Sequence, residues 1–202
     1  ARIAQCLPSP EGRQPQASLQ DRRRALEGWL GNDREHFEIS PGLAPNATQL
    51  RRRFDADHPP VTFCVPTRQG ISDATGRPHL LGLLETIGRL DYPMDKLRVV
   101  VGDDLADGTA YTQHPWPFTL SRVVTERPAG TPFNYAKKMN ELWRLSETEQ
   151  VVLMNDDVSS HSADWLQALL TFSMQEDVGG VGARLLYPNS TIQHAGIPGG
   201  LF

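Results

Sequence analysis

Four short apolar runs, each closed by polar residues and separated by segments of helical periodicity, constrain this chain of 202 residues more than any other feature. They are VTFCVPT from Val61, LRVVVGDD from Leu97, FTLSRVVTE from Phe118 and VVLMNDD from Val151. Short runs rich in β-branched residues and bounded by turn formers read as buried strands. Between the first two, Leu80, Leu83, Leu84, Ile87 and Leu90 recur at helical spacing, and Pro78 suits a first helical turn. PFNYAKKMNELWRL reads as a helix with Phe133, Ala136, Met139 or Asn140, and Trp143 along one side. Ser162 is expected to cap the next helix, which carries Trp165, Leu166, Leu169, Leu170 and Phe172. A last strand, VGGVGARLLY, leads through a turn at Pro188, Asn189 and Ser190 into TIQHAG.

Strands alternating with helices predict an α/β fold, a mostly parallel sheet covered on both faces. Ligands of such sheets bind beyond the carboxyl ends of the strands. Three ends carry unusual polar chemistry here: Thr67 and Arg68, Asp103 and Asp104, and Asn155, Asp156 and Asp157. Parallel neighbours would bring all three to one edge.

Residues 1–58 differ in texture, and residues 59–202 are taken as the α/β domain. The lead-in holds LPSPEGRQPQ and arginine triplets at Arg22 to Arg24 and Arg51 to Arg53. A helix is expected from Leu19 to Leu30, with Ser18 capping it, Asp21 in its first turn and Gly31 ending it. Leu19, Leu26, Trp29 and Leu30 would share a face, the whole being a flexible or loosely docked segment. The balance of 24 acidic against 20 basic residues, net charge −4, excludes the basic footprint of a general nucleic-acid binder. Cys6 and Cys64 lie far apart, and Cys64 sits in an apolar run as a buried reduced thiol. No segment has the roughly 18 apolar residues of a membrane span, and no signal-peptide pattern opens the chain, so a cytoplasmic location is expected. Peripheral association with the inner membrane face stays open.

Two adjacent carboxylates at a strand end repel each other unless a cation relieves them. Oxygen ligands suit Mg²⁺ or Mn²⁺, which take one or two protein carboxylates and complete their shell with phosphate oxygens and water. The acidic end therefore fits a metal–diphosphate site better than an all-protein cage. The plain alternative is that Asp156 and Asp157 merely open a loop.

The ordered set FCVPTRQG, VVVGDDLADGT, FNYAKKMN and VVLMNDDVSSHSADWLQALL resembles family 2 glycosyltransferases of the GT-A (Rossmann-like) fold. VGGVGARLLYPNSTIQHAG resembles the bacterial branch that builds O-antigen and other cell-surface polysaccharides. The resemblance implies an enzyme moving a sugar, with inversion, from a nucleoside diphosphate sugar (UDP- or dTDP-sugar) to a glycan or lipid-linked acceptor. It implies that Asp157 is the metal-coordinating acid of the DxD-type motif, with Asp156 near the ribose or diphosphate. Asp103 or Asp104 would read the base, and GDDLADGT departs from the usual DDGSTDGT at this point. Thr67 and Arg68 would line the nucleotide pocket, and Lys137, Lys138 and Asn140 would face the nucleotide. His194 in TIQHAG is either a sugar or metal contact or a structural histidine. His161 is expected to face solvent, and Trp143 and Trp165 to lie in the core.

Inversion needs a general base for the acceptor hydroxyl. In the resembling family an acidic pair well downstream of the DxD-type motif supplies it, so the base is expected beyond Phe202. Two other readings remain from the sequence: a non-catalytic nucleotide-sugar-binding or scaffold domain, and a signalling receiver domain with its acidic pair around Mg²⁺.

Overall fold

The computed structural model describes residues 17–42, 46–54, 57–124, 130–160 and 162–196. The expectations for Cys6 and His161, and the end of the chain from 197 on, lie outside the described residues. The chain divides into two units: one runs up to Phe54 and resumes at Gln167, and the other is Asp55–Leu166.

In the first unit, helix α1 spans Leu19–Leu30 as the sequence predicts. The Ser18 hydroxyl accepts from the Asp21 N–H at 3.1 Å, and the Asp21 carboxylate accepts from the Ser18 N–H at 3.1 Å. That reciprocal box satisfies two of the donors every helix start leaves open. Its predicted apolar face is narrower than expected, since only Leu30 is buried and Trp29 is 62% exposed. The lead-in is also more structured than its composition suggested. Strands β1 (Phe37–Pro41) and β2 (Thr48–Arg52) form an antiparallel hairpin, and Arg22 Nε of α1 donates to Thr48 Oγ1 at 3.0 Å.

The second unit holds the sheet. Strand β3 (Val61–Thr67) is buried along its whole length, and β4 (Leu97–Asp103) is buried except at Arg98. Helix α2 (His79–Ile87) lies between them in sequence and buries Leu80, Leu83, Leu84 and Ile87. A short α3 (Thr109–Thr112) leads to β5 (Thr119–Val124), helix α4 (Tyr135–Trp143) and strand β6 (Gln150–Leu153). All four strands are parallel, in the order β5-β4-β3-β6. Alternation along β3 divides its side chains between the faces. Cys64, Val100, Met139 and Leu142 pack together on the α4 face, and Leu142 lies close over Gly102, where a Cβ would stand 3.0 Å from both Leu142 methyls. On the other face the Trp165 ring meets Phe63 edge-on at 6.0 Å.

Counting only these strands, the order is third, second, first, fourth. That is the doubly wound order whose crevice opens between the first and fourth strands. The flavodoxin-like order of receiver domains puts the second strand outside the first and the third on its other side. The receiver reading is thereby excluded.

Three sequence expectations need correction. Helix α4 buries Lys138, Met139 and Leu142, a stripe displaced from the predicted one, and leaves Trp143 54% exposed. Helix α5 spans Trp165–Ser173, so it begins two residues later than a cap at Ser162 would start it. VGGVGARLLY is not one strand: residues 178–184 are irregular, and β7 (Leu185–Leu186) pairs antiparallel with β8 (Ile192–His194). Its glycines, Gly179, Gly180 and Gly182, weaken a strand by removing the side chains that would pack and by raising the entropy cost. Among the described residues no helix is long and apolar enough to cross a membrane.

Candidate functional site

The site is assembled where the parallel strands end. Register pairs Thr67 of β3 with Asp103 of β4, so these two residues finish neighbouring strands side by side. Strand β6 is paired with β3 only as far as Leu153 and Cys64, and the Met154 N–H still donates to the Cys64 carbonyl at 3.1 Å. Beyond it the chain turns, and that turn carries Asp156 back to β3. The Thr67 hydroxyl donates to Asp156 Oδ2 at 2.5 Å. This contact spans the crevice between the first and fourth strands. Asp157, the next residue, is exposed and makes no hydrogen bond or ion pair among the described residues. Asn155 is exposed as well.

Asp103 is fully buried and saturated with donors. Its Oδ2 accepts from Gln69 Nε2 at 2.8 Å, Tyr111 Oη at 2.7 Å and Arg122 Nε at 3.2 Å, and its Oδ1 accepts from the Leu105 N–H at 3.0 Å. Arg122 rises from β5 to meet it. Its Nε also donates to Tyr111 Oη at 2.9 Å, and its Nη2 donates to the carbonyls of Ala106, at 2.9 Å, and Leu105. The guanidinium thus ties the loop after β4 to the sheet. Gly108 makes room for it: a Cβ there would stand 2.8 Å from both Arg122 Cδ and Cζ. Burial, then the bond to Asp103, pushes the Tyr111 hydroxyl well above the usual phenol range. Asp107 starts α3 by accepting from the Thr109 N–H at 2.9 Å and its hydroxyl at 2.8 Å, which holds its carboxyl below the usual range.

Asp104 is buried beside Lys138, with which it forms an ion pair. The Lys138 ammonium also donates to the carbonyls of Thr67, at 3.2 Å, and Gly102, at 3.3 Å, and lies 5.2 Å from the Phe133 ring centroid. Its three donors thus bind the ends of β3 and β4 together from below. Cys64, under the same edge, has its thiol raised to about 11 by burial.

The structure therefore brings Thr67, Asp103, Asp104, Lys138 and Asp156 to one edge. Arg68 is exposed just past β3, and Lys137 and Asn140 are exposed on α4, where Lys137 is 3.9 Å from Glu141. His194 belongs to the other unit, where it is exposed on β8 opposite Leu185. Sequence reasoning missed Gln69, Tyr111 and Arg122. Only Arg122 gave a signal, as the one charged residue of its strand.

Among the described residues no three His, Cys, Asp or Glu side chains converge on one point. An ion here would be held by one or two carboxylates and completed by phosphate and water, and Asp157 with its neighbour Asp156 supplies that donor set.

No family model matches the chain. An uncharacterised protein, y4gI, of Sinorhizobium fredii is 44% identical over 181 residues, which cover 89% of this chain and 19% of that protein. The O-antigen biosynthesis protein RfbC of Myxococcus xanthus is 26% identical over 181 residues, covering 88% of this chain and 13% of RfbC. The chain thus spans less than a fifth of the length of either relative. Among solved structures, the mannosyltransferase PcManGT from Pyrobaculum calidifontis, in complex with GDP-Man and Mn²⁺, has 28% identity and a TM-score of 0.48 over 61% of this chain and 35% of that one. Residues 1–349 of S. aureus TarS, in complex with UDP-GlcNAc, have 20% identity and a TM-score of 0.45 over 64% of this chain and 41% of that one. Both of these similar structures hold a nucleotide sugar.

Proposed function

We propose that this chain is the donor-binding portion of an inverting, family 2 glycosyltransferase of the GT-A type, acting on a nucleoside diphosphate sugar in cell-surface polysaccharide synthesis. One observation carries the reading. The Thr67–Asp156 hydrogen bond closes the crevice between the first and fourth parallel strands and leaves Asp157 exposed at its rim. That is where a doubly wound sheet binds its ligand, and the ligand best matched to an exposed acid there is a metal-neutralised diphosphate. The likeness to an O-antigen biosynthesis protein supports the cell-surface role.

Mn²⁺ or Mg²⁺, when bound, supplies positive charge against the leaving diphosphate. Asp157 holds that ion, and Asp156, steadied by Thr67, faces the ribose or phosphate. Arg68 and Lys137, both exposed, would approach phosphate oxygens, and Asn140, also exposed on α4, would face the nucleotide. Asp103, with Arg122 and Tyr111, fixes the loop that bounds the base end of the pocket. Lys138 keeps Asp104 neutralised beneath it. The acceptor's general base is not assigned among these residues.

The test is calorimetric titration with UDP and dTDP, in Mn²⁺ and in excess chelator, of the native chain and of Asp157→Ala. Asp157 is exposed, so the variant should melt like the parent. Binding is expected to need the metal and to vanish in Asp157→Ala. Unchanged binding by the variant would refute the metal assignment, and binding of neither nucleotide by the native chain would refute a uracil or thymine donor.

A further inference from the structure

We propose that Gln69 reads the base of the donor, through its side-chain oxygen, and selects a base that presents a ring N–H. The inference rests on the donor-site reading above and adds to it the residue and the chemistry of base choice.

The backbone of Gln69 sits at φ +55°, a region that costs a non-glycine residue energy and persists only when surrounding bonds enforce it. Here they do: the Gln69 N–H donates to Thr67 Oγ1 at 2.9 Å, and that hydroxyl is itself fixed on Asp156. The side chain is held as firmly. Its Nε2 donates to Asp103 Oδ2 at 2.8 Å and to the Asp107 carbonyl at 2.6 Å. An amide nitrogen has two hydrogens, so both are in use. Both partners are acceptors, so the nitrogen must be the end that faces them.

That leaves the oxygen. Gln69 Oε1 accepts no hydrogen bond among the described residues, and the residue is partly exposed beside the crevice. The two acids in this loop region are less suited to direct contact. Asp103 has no exposed surface and four donors already, and the Asp104 side chain is 2% exposed beside Lys138. Asp103 is then a positioning residue, whose negative charge orients the Gln69 amide. An oriented oxygen with two lone pairs and no hydrogen rewards a base edge that donates. At the ring itself uracil and thymine offer N3–H and guanine offers N1–H, whereas cytosine and adenine have unprotonated ring nitrogens there and donate only from an exocyclic amine.

The experiment compares UDP with its N3-methyl derivative, which lacks the hydrogen but keeps ribose, diphosphate and metal chemistry. The native chain should bind UDP about tenfold more tightly, the worth of one hydrogen bond in a partly buried site. In Gln69→Leu and in Gln69→Met, of similar length, the two ligands should bind equally. Equal binding by the native chain would overturn the proposal and leave the donor site standing. So would a preference that survives both Gln69 variants, or loss of all UDP binding in both. Failure of the native chain to bind UDP, dTDP or GDP would instead overturn the donor site on which the proposal rests.

Discussion

Gly108→Ala tests the network behind the site without touching a charged group. Gly108 has φ −123° and ψ 13°, which alanine adopts, so the backbone itself adds little strain. The added Cβ would collide with Arg122, standing 2.8 Å from Cδ and from Cζ. Arg122 cannot swing aside cheaply, because it donates to Tyr111 Oη at 2.9 Å, the Ala106 carbonyl at 2.9 Å and Asp103 at 3.2 Å. Displacing it takes a cation away from a fully buried carboxylate. Removing one partner of a buried pair costs about 3–5 kcal/mol, and the 19% exposure of Arg122 favours the lower end. A loss of about 3 kcal/mol should lower Tm by roughly 6–12 °C in a chain of this size. Urea unfolding of Gly108→Ala, Arg122→Ala and the double variant measures it. With Arg122 truncated the methyl has room, so the second substitution should add less than about 0.5 kcal/mol. A Gly108→Ala cost below that figure in the native background, or strict additivity, would refute the clamp.

Alkaline pH should destabilise the fold. The Cys64 thiol moves from 9.0 to about 11 on folding because it is buried, so its contribution is complete below pH 9 and disappears as pH rises through 11. At about 1.4 kcal/mol per unit this amounts to roughly 3 kcal/mol. Tyr92, raised by burial, and Tyr111, raised by burial and Asp103, act in the same direction. Urea midpoints from pH 7 to 11 check this, and a flat profile above pH 9 would contradict it. Lys138→Met should cost about 3 kcal/mol or more, because it leaves Asp104 buried without its ammonium. Adding Asp104→Asn should recover part of that loss, and no recovery in the double variant would show that Lys138 acts mainly on the strand-end carbonyls.

The frame of this protein was legible because its two central strands, β3 and β4, are buried on both faces. VTFCVPT and LRVVVGDD leave no solvent side to confuse the pattern, and both strands lie where those runs lie. Helix α1 was equally clear, since Ser18, Asp21 and Gly31 are local signals that act through the backbone. What failed depended on distant partners. The β1–β2 hairpin has only five-residue strands, and although β1 alternates Phe37, Glu38, Ile39 and Ser40, its partner TQLRR is mostly polar and gives too short a pattern to reveal the pairing. The stripe on α4 was misjudged because Lys138, a charged residue, is drawn inward by Asp104 and two carbonyls, which turns Trp143 outward. At the site, the acids were visible as adjacent letters, but not the division of labour among them. Asp103 is engaged by Gln69, Tyr111 and Arg122, none of them adjacent to it in sequence, while Asp157 is left exposed.

The most direct test of the account is to locate the metal. Backbone amide spectra of the isotopically labelled chain with UDP would be compared in Mg²⁺ and in trace Mn²⁺, whose unpaired electrons broaden nearby signals. The account expects broadening centred on Asp156 and Asp157 and reaching Thr67 and Gln69, all of it lost in Asp157→Ala. Broadening centred elsewhere, or the same pattern in Asp157→Ala, would contradict the claim that this strand edge holds a metal–diphosphate.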